Sequence, residues 1–467
     1  MIESINLQAW RDDRVARKPR MSPRSLPRYL VVADDLSGAA DCAAGFASAG
    51  LSTSVLLDPQ ACGQAQRDVD VLTVDTNSRR DAPAVAAAKL QALLAAPASQ
   101  GRRVLKKMDS TLRGGWAQEV AVLQGALDAM ALVAPSFPQM GRTMQAGLVH
   151  VHGVRLADTD TWKLEHADRD DRAAQQLQAA GLRCDNLPAS LLDAGPDATA
   201  QAIATAREQG LQALVFDVLT DEHLQTLALA SLQLEQVFCV CSAGLSHALA
   251  QQVPAVSAAA SALDVPHGAG RLPSVVTVVG SMSAIAQQQL AYLAEQPRTR
   301  LHVVPPGCLR SDAQTPQRQD LVQALVQTVS AEVAQGLDVV VSLGADAHTD
   351  PAEGPLLARQ LARLLHAPMA AAAGLVITGG ETARAVLEEL QLRSLRVHSE
   401  SEPGVVLCIT EHDDTQQDAR RQWIATKAGA FGHPASLQRA SSAIHSLLAA
   451  QTLGGCTDTA PTESKQR

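Results

Sequence analysis

The sequence predicts an α/β protein of two domains, each with a mostly parallel sheet flanked by helices, and three observations predict it. A unit of short apolar run, small polar loop and helical pattern recurs along the chain, as parallel α/β architecture requires. The apolar runs are too uniformly hydrophobic to leave a wet face, as expected of strands covered on both sides. The third is size: 467 residues exceed one ordinary core, and a 46% hydrophobic content suffices to build two.

Residues 1–28 carry Arg11, Arg14, Arg17, Lys18, Arg20, Arg24 and Arg28 with no apolar stretch behind them, so they do not read as a secretory signal. A disordered tail is expected there, with translation starting at Met1 or Met21. The recurring unit then appears as YLVVADD into GAADCAAGF, VLKKMDST into WAQEVAVLQGAL, SVVTVVGSMS into AIAQQQLAYL, and GLVITGGET into ARAVLEEL. In the first helix Ala39, Cys42, Ala43 and Phe46 fall at i, i+3, i+4 and i+7, and Gly50 supplies a stop. Ala383, Val386, Leu387 and Leu390 repeat the pattern. The stretch QQVPAVSAAASALDVPHGAGRLPS has little strand character and precedes a fresh strand at Val275. The expected domains are therefore 29–255 and 274–456, with a linker at 256–273 and a disordered tail at 457–467.

Composition narrows the partners. Lys and Arg number 39 against 48 Asp and Glu, a formal net charge of -9, which argues against a polyanion. Four Trp, two Tyr and five Phe leave few stacking platforms for single strands. The eight cysteines are scattered, with no C-x-x-C, which fits a reducing cytoplasm, and no uncharged apolar stretch reaches membrane-spanning length. The expectation is a cytoplasmic protein without nucleic-acid or membrane partners.

In open parallel sheets ligands collect outside the carboxyl ends of strands, so the strand-to-helix loops are the candidates. Asp34 and Asp35 sit at such an end. A single Asp there reads as an N-cap, but a pair exceeds what capping needs. In KKMDSTLRGG, Lys107, Asp109, Ser110 and Arg113 combine cations, a carboxylate and a hydroxyl, a mixture suited to a small polyhydroxylated anion; the plainer reading is a solvated loop with local ion pairs. TVDTNSRRD adds Asn77, Ser78 and Arg79. In LVHVHG, His150 and His152 are expected on one strand face, and without a third ligand they read as surface histidines rather than a metal site. GSMS (280–283) and GGET (379–382) lie between an apolar strand and a helix, where backbone N–H groups and small hydroxyls make an anion site. TKAGAFGH (426–433) adds Lys427 and spaced glycines. There is no G-x-x-x-x-G-K-[ST], no G-x-G-x-x-G after a strand, no G-x-S-x-G and no H-E-x-x-H, which disfavours Walker-type ATPases, ordinary Rossmann dehydrogenases, elbow hydrolases and zincins.

Taken in order, DDLSGAAD, NSR, KMDSTLRG, PSFPQMGRT, TGGETA and TKAGAFG resemble the four-carbon acid sugar kinase family, from about Tyr29 to Leu448. The resemblance implies a sugar-acid-binding N-terminal domain, an ATP-binding C-terminal domain and an active site in the cleft between domains. It places substrate contacts at Asp34, Arg79, Lys107, Met108, Asp109 and Ser110. Nucleotide contacts fall at Ser281, Ser283, Gly379, Gly380, Glu381, Thr382, Lys427 and Gly429. Ser37 stands where the family often has Thr. Asp35 or Asp109 is the expected general base, and the choice between them stays open. ATP is the expected phosphoryl donor with Mg2+ as its companion, and no protein metal site is assigned. The expected reaction phosphorylates the 4-hydroxyl of D-threonate, with D-erythronate, L-threonate and 3-oxo-tetronate as alternatives. A non-catalytic sugar-acid binding protein and an atypical dehydrogenase are the readings from other classes. A homodimer paired through LVHVHG is a further expectation.

Overall fold

The computed structural model describes residues 27–58, 68–159, 162–163, 169–253, 273–310, 315–345, 353–411, 421–429 and 431–454. The expected N-terminal tail up to Leu26, both candidate start methionines, the linker from 256 to Leu272 and the tail 457–467 lie outside them. Two compact units emerge, and they do not follow chain order. Gln100–Val253 forms one with Met1–Tyr29, whereas Leu30–Ser99 joins Pro254–Arg467 in the other.

The larger unit is organised by a sheet in the order Thr299–Val304, Asp338–Leu343, Val275–Val279, Gly374–Thr378, Trp423–Lys427, Val405–Glu411, Ser394–Glu402, Thr53–Leu56, Val71–Asp75 and Tyr29–Ala33. Its first five strands are mutually parallel. Val405–Glu411 runs antiparallel to both its neighbours, and Ser394–Glu402 is antiparallel to Thr53–Leu56. Strands 275–279, 374–378 and 423–427 are buried at every position, which explains their lack of alternation. One hydrophobic core joins Ala33, Leu36, Ala40 and Val55 to Val276, Leu375, Val386 and Ile424, so the early segment folds onto the late one through apolar burial. Each fully buried Val, Leu or Ile contributes roughly 1.5–3 kcal/mol.

The smaller unit has a wholly parallel sheet, Arg103–Lys107, Val237–Cys241, Met130–Ala134, Ala213–Phe216 and Cys184–Leu187. A separate antiparallel sheet joins Arg142–Gln145, Leu148–Val151 and Val154–Arg155. Asp217 anchors its first turn, accepting from the Ala146 and Gly147 amides at 2.7 and 2.9 Å. The helices at Trp116 and Ala284 begin where expected, whereas two others begin earlier, at Leu36 ahead of GAADCAAGF and at Gly380 within GGET. Leu36–Ser48 buries Ala39, Cys42, Ala43 and Phe46, and the chain leaves it through Gly50 at φ +89. Among the described residues no helix is long and apolar enough to cross a membrane.

Candidate active site

The acid pair is held by an arginine from the neighbouring strand end. Arg79 grips Asp34 with both arms of its fork, Nε to Oδ2 at 2.8 Å and Nη2 to Oδ1 at 2.9 Å. The same guanidinium reaches Asp35, Nη1 to Oδ2 at 3.0 Å. Such bidentate, charge-assisted bonds fix orientation as well as charge. Asp34 is 3% exposed and Asp35 half-buried. Asp35 is also the cap of helix Leu36–Ser48, its Oδ1 accepting from the Gly38 amide at 3.1 Å. The plain N-cap reading therefore holds for Asp35 and leaves its Oδ2 on the other side.

That side meets a glycine loop. A Cβ on Gly380 would stand 3.0 Å from Asp35 Oδ2 and 3.0 Å from Ser37 Oγ, so only glycine fits without displacing one of them. Gly379 sits at φ +99 and opens helix Gly380–Glu389 without a side-chain cap, which leaves first-turn amides for an acceptor from outside the helix. The other glycine loops converge on the same place, because their strands 275–279, 374–378 and 423–427 lie side by side and parallel. A Cβ on Gly280 would collide with Thr382 Oγ1. One on Gly429 would lie 2.8 Å from Ser281 Oγ and 3.7 Å from Gly379 Cα. Ser283 caps the helix Ala284–Ala294 and donates to the Gly429 carbonyl at 3.1 Å. Ser281, Ser283, Gly379, Gly380, Thr382 and Gly429 thus form one cradle, whose rim carries exposed Glu381 paired with Arg80 at 2.7 Å.

Lys427 ends the strand that leads into the Gly429 loop. It is 2% exposed, and Nζ donates to the carbonyls of Ala428 at 2.6 Å and Phe431 at 2.7 Å, pinning its own loop. Burial pushes its ammonium down to about 8, against the opposing pull of Glu402.

The second cluster belongs to the smaller unit. Lys107 ends strand Arg103–Lys107 and Met108 is fully buried, its amide bonded to the Cys241 carbonyl at 2.8 Å. Asp109 Oδ1 accepts from the amide and hydroxyl of Thr111, and Oδ2 from Arg113 Nη2 at 2.7 Å. Ser110 is half-buried beside it. Burial lowers the Arg142 guanidinium from its ordinary value, while Asp109 raises it and Arg113 lowers it further, so the three share one electrostatic neighbourhood. Lys106 is committed elsewhere, to buried Glu119 at 2.7 Å. The expectation of His150 and His152 on one strand face fails: Leu148–Val151 ends before His152, which turns at φ +50 and packs its ring on Gly141.

Comparison with known proteins decides what such a constellation belongs to. Residues 29–249 match a family described as a sugar-binding N-terminal domain, and residues 276–437 one described as a nucleotide-binding C-terminal domain. The D-threonate kinase of Cupriavidus necator is 40% identical over 88% of this chain and 97% of its own. The chain belongs to the four-carbon acid sugar kinase family. It is a phosphotransferase of that family by this measure. The D-threonate kinase of Bordetella bronchiseptica is 31% identical over 90% of this chain and 98% of its own. Other relatives are named D-erythronate kinase and 3-oxo-tetronate kinase. A crystal structure from Salmonella typhimurium LT2 matches with a TM-score of 0.73 at 24% identity, covering 89% of this chain and 99% of that one, which speaks for the fold.

Beside the loops of this four-carbon acid sugar kinase lie buried polar residues that no motif marks. Buried Asp75 ends the strand beside Tyr29–Ala33 and pairs with Arg384 at 2.8 Å. Buried Gln289 holds the 427–433 loop through Phe431 and His433 carbonyls at 3.1 and 3.0 Å. Asp75 carries a signal in the sequence, since like Asp34 it is an acid that closes an apolar strand. Arg384 was masked by Glu388 at i+4, which suggests a surface pair.

Proposed function

We propose that the protein transfers the γ-phosphoryl group of ATP to the 4-hydroxyl of D-threonate, giving 4-phospho-D-threonate and ADP. The observation that carries this reading is the contact of Asp35 and Ser37 with Gly380, which puts an orienting carboxylate at the mouth of a glycine and hydroxyl cradle. The 40% identity to a D-threonate kinase supports the choice of acid.

In this reading the amides following Gly379, with Thr382 and Ser281, bind the triphosphate, and Lys427 keeps their loop in place. Asp35 orients the acceptor hydroxyl and takes its proton as its oxygen bonds to the γ-phosphorus and the bond to ADP breaks. Arg79 keeps Asp34 and Asp35 in register. Lys107 takes the substrate carboxylate, while Asp109 and Ser110 take its hydroxyls. Mg2+ suits the donors present: two carboxylates share one guanidinium, and buried Ser37 Oγ has no hydrogen-bond partner among the described residues. Ser37, backed by Asp34, would hold it, and the ion would supply charge neutralisation on the phosphates.

The test is ADP release with MgATP and a panel of D- and L-threonate, D- and L-erythronate and 3-oxo-tetronate. Turnover with D-threonate at a kcat/KM at least tenfold above the others is the expected result. Preference for another acid corrects the substrate, and silence across the panel removes the catalytic reading in favour of a binding protein.

A further inference from the structure

Helix Gly380–Glu389 begins at a glycine with no side-chain cap; Ala383, Val386 and Leu387 pack it into the core, and the Gly379 amide bonds to the Lys427 carbonyl at 2.8 Å. Two ion pairs connect this helix to the segment around Asp75–Arg80. Arg80 and Glu381 are 58% and 47% exposed, a pair that water and salt weaken. Arg384 and Asp75 are 18% and 1% exposed, at 2.8 Å.

We propose that Arg384 is a positioning residue for the phosphoryl donor: by pairing with buried Asp75 it fixes helix Gly380–Glu389 and so seats the Gly379–Gly380 loop against Asp35. This rests on the reading of that loop as the triphosphate cradle. The geometry is a short closed circuit. Arg384 lies one turn beyond Gly380, on the same face of the helix. Asp75 is locked by the Asn77 amide at 2.8 Å, with Asn77 at φ +47. The next residue, Thr76, donates through both its amide and its hydroxyl, each at 2.9 Å, to the carbonyl of Ala33, directly before the acid pair. Acceptor acid and donor loop are therefore referenced to the same point. Arg384 Nε is held by Glu388 at 2.6 Å, which pre-sets the fork.

The experiment compares Arg384→Met and Arg384→Lys in the full chain, with Gly380→Ala and Asp35→Asn as controls, measuring KM for MgATP, KM for the preferred acid, kcat and the thermal midpoint. Arg384→Met should raise KM for MgATP about tenfold while KM for the acid stays within about twofold, and adding Asp75→Asn should cost little more, since the pair acts as a unit. Arg384→Lys keeps the charge and loses the fork, so its effect should be intermediate. A merely structural role would lower the midpoint and leave the ratio of the two KM values unchanged, which overturns the proposal. If Arg384→Met does not fold, Arg384→Lys decides: a severalfold rise confined to MgATP supports it, and none overturns it. Intact phosphoryl transfer in both controls would sink the cradle reading, and this inference with it.

Discussion

Two loops of this kinase place acid and arginine together at the end of a buried strand, yet they solve different problems. In DDLSG the partners come from far away: Arg79 from another strand end, and Gly380 from the far part of the chain. In KMDSTLRG the partners are local, Thr111 two residues on and Arg113 four residues on. A carboxylate satisfied by its own turn shapes that turn. One clamped by distant elements marks where those elements meet, and this favours Asp35 over Asp109 as the group beside the transferred phosphoryl.

The largest expected effect is at Asp35. Asp35→Asn should lower kcat by about 10²- to 10⁴-fold, whereas Asp109→Asn should act mainly on KM for the acid, as steady-state kinetics will read. A fall in kcat for Asp109→Asn alone would reverse the comparison.

Next is Asp75, whose carboxyl burial pushes up to about 6 from its ordinary 3.8, outweighing the pull of Arg384. A folded-state pKa raised this way gives stability that is fully present below pH 4 and lost as pH rises through about 6. Asp75→Asn cannot ionise, so denaturant titrations from pH 4 to 7 should show its stability gaining on the wild type by on the order of 3 kcal/mol. Parallel profiles would show that the carboxyl titrates normally.

Gly380→Ala inserts a methyl 3.0 Å from Asp35 Oδ2 and Ser37 Oγ. Overpacking of about 1–3 kcal/mol is expected, seen as weaker MgATP binding by calorimetry. Unchanged affinity would mean that the loop has room to spare. Smallest is Arg113→Ala, which breaks a partly exposed pair and should cost at most about 1 kcal/mol of stability, measured by thermal unfolding.

These differences also explain what the sequence could tell. Strand and helix patterns were legible because fully buried strands and the stripe of Ala39, Cys42, Ala43 and Phe46 leave a local record. The glycine loops were legible because their chemistry lies within four residues. The grouping of Leu30–Ser99 with the C-terminal part was not, since the presence of Val55 and Val276 in one hydrophobic cluster is a property of the core and not of either segment. The same holds for Arg384, whose local partner Glu388 concealed its distant one. His152 was misplaced because alternation in LVHVHG continues past the point where the strand turns at positive φ.

The most direct measurement is the single-turnover rate of phosphoryl transfer from MgATP to D-threonate in Asp35→Asn and Asp109→Asn, both at saturating substrate. The expected rate is at least a hundredfold below wild type for Asp35→Asn and near wild type for Asp109→Asn. A normal rate in Asp35→Asn would contradict it.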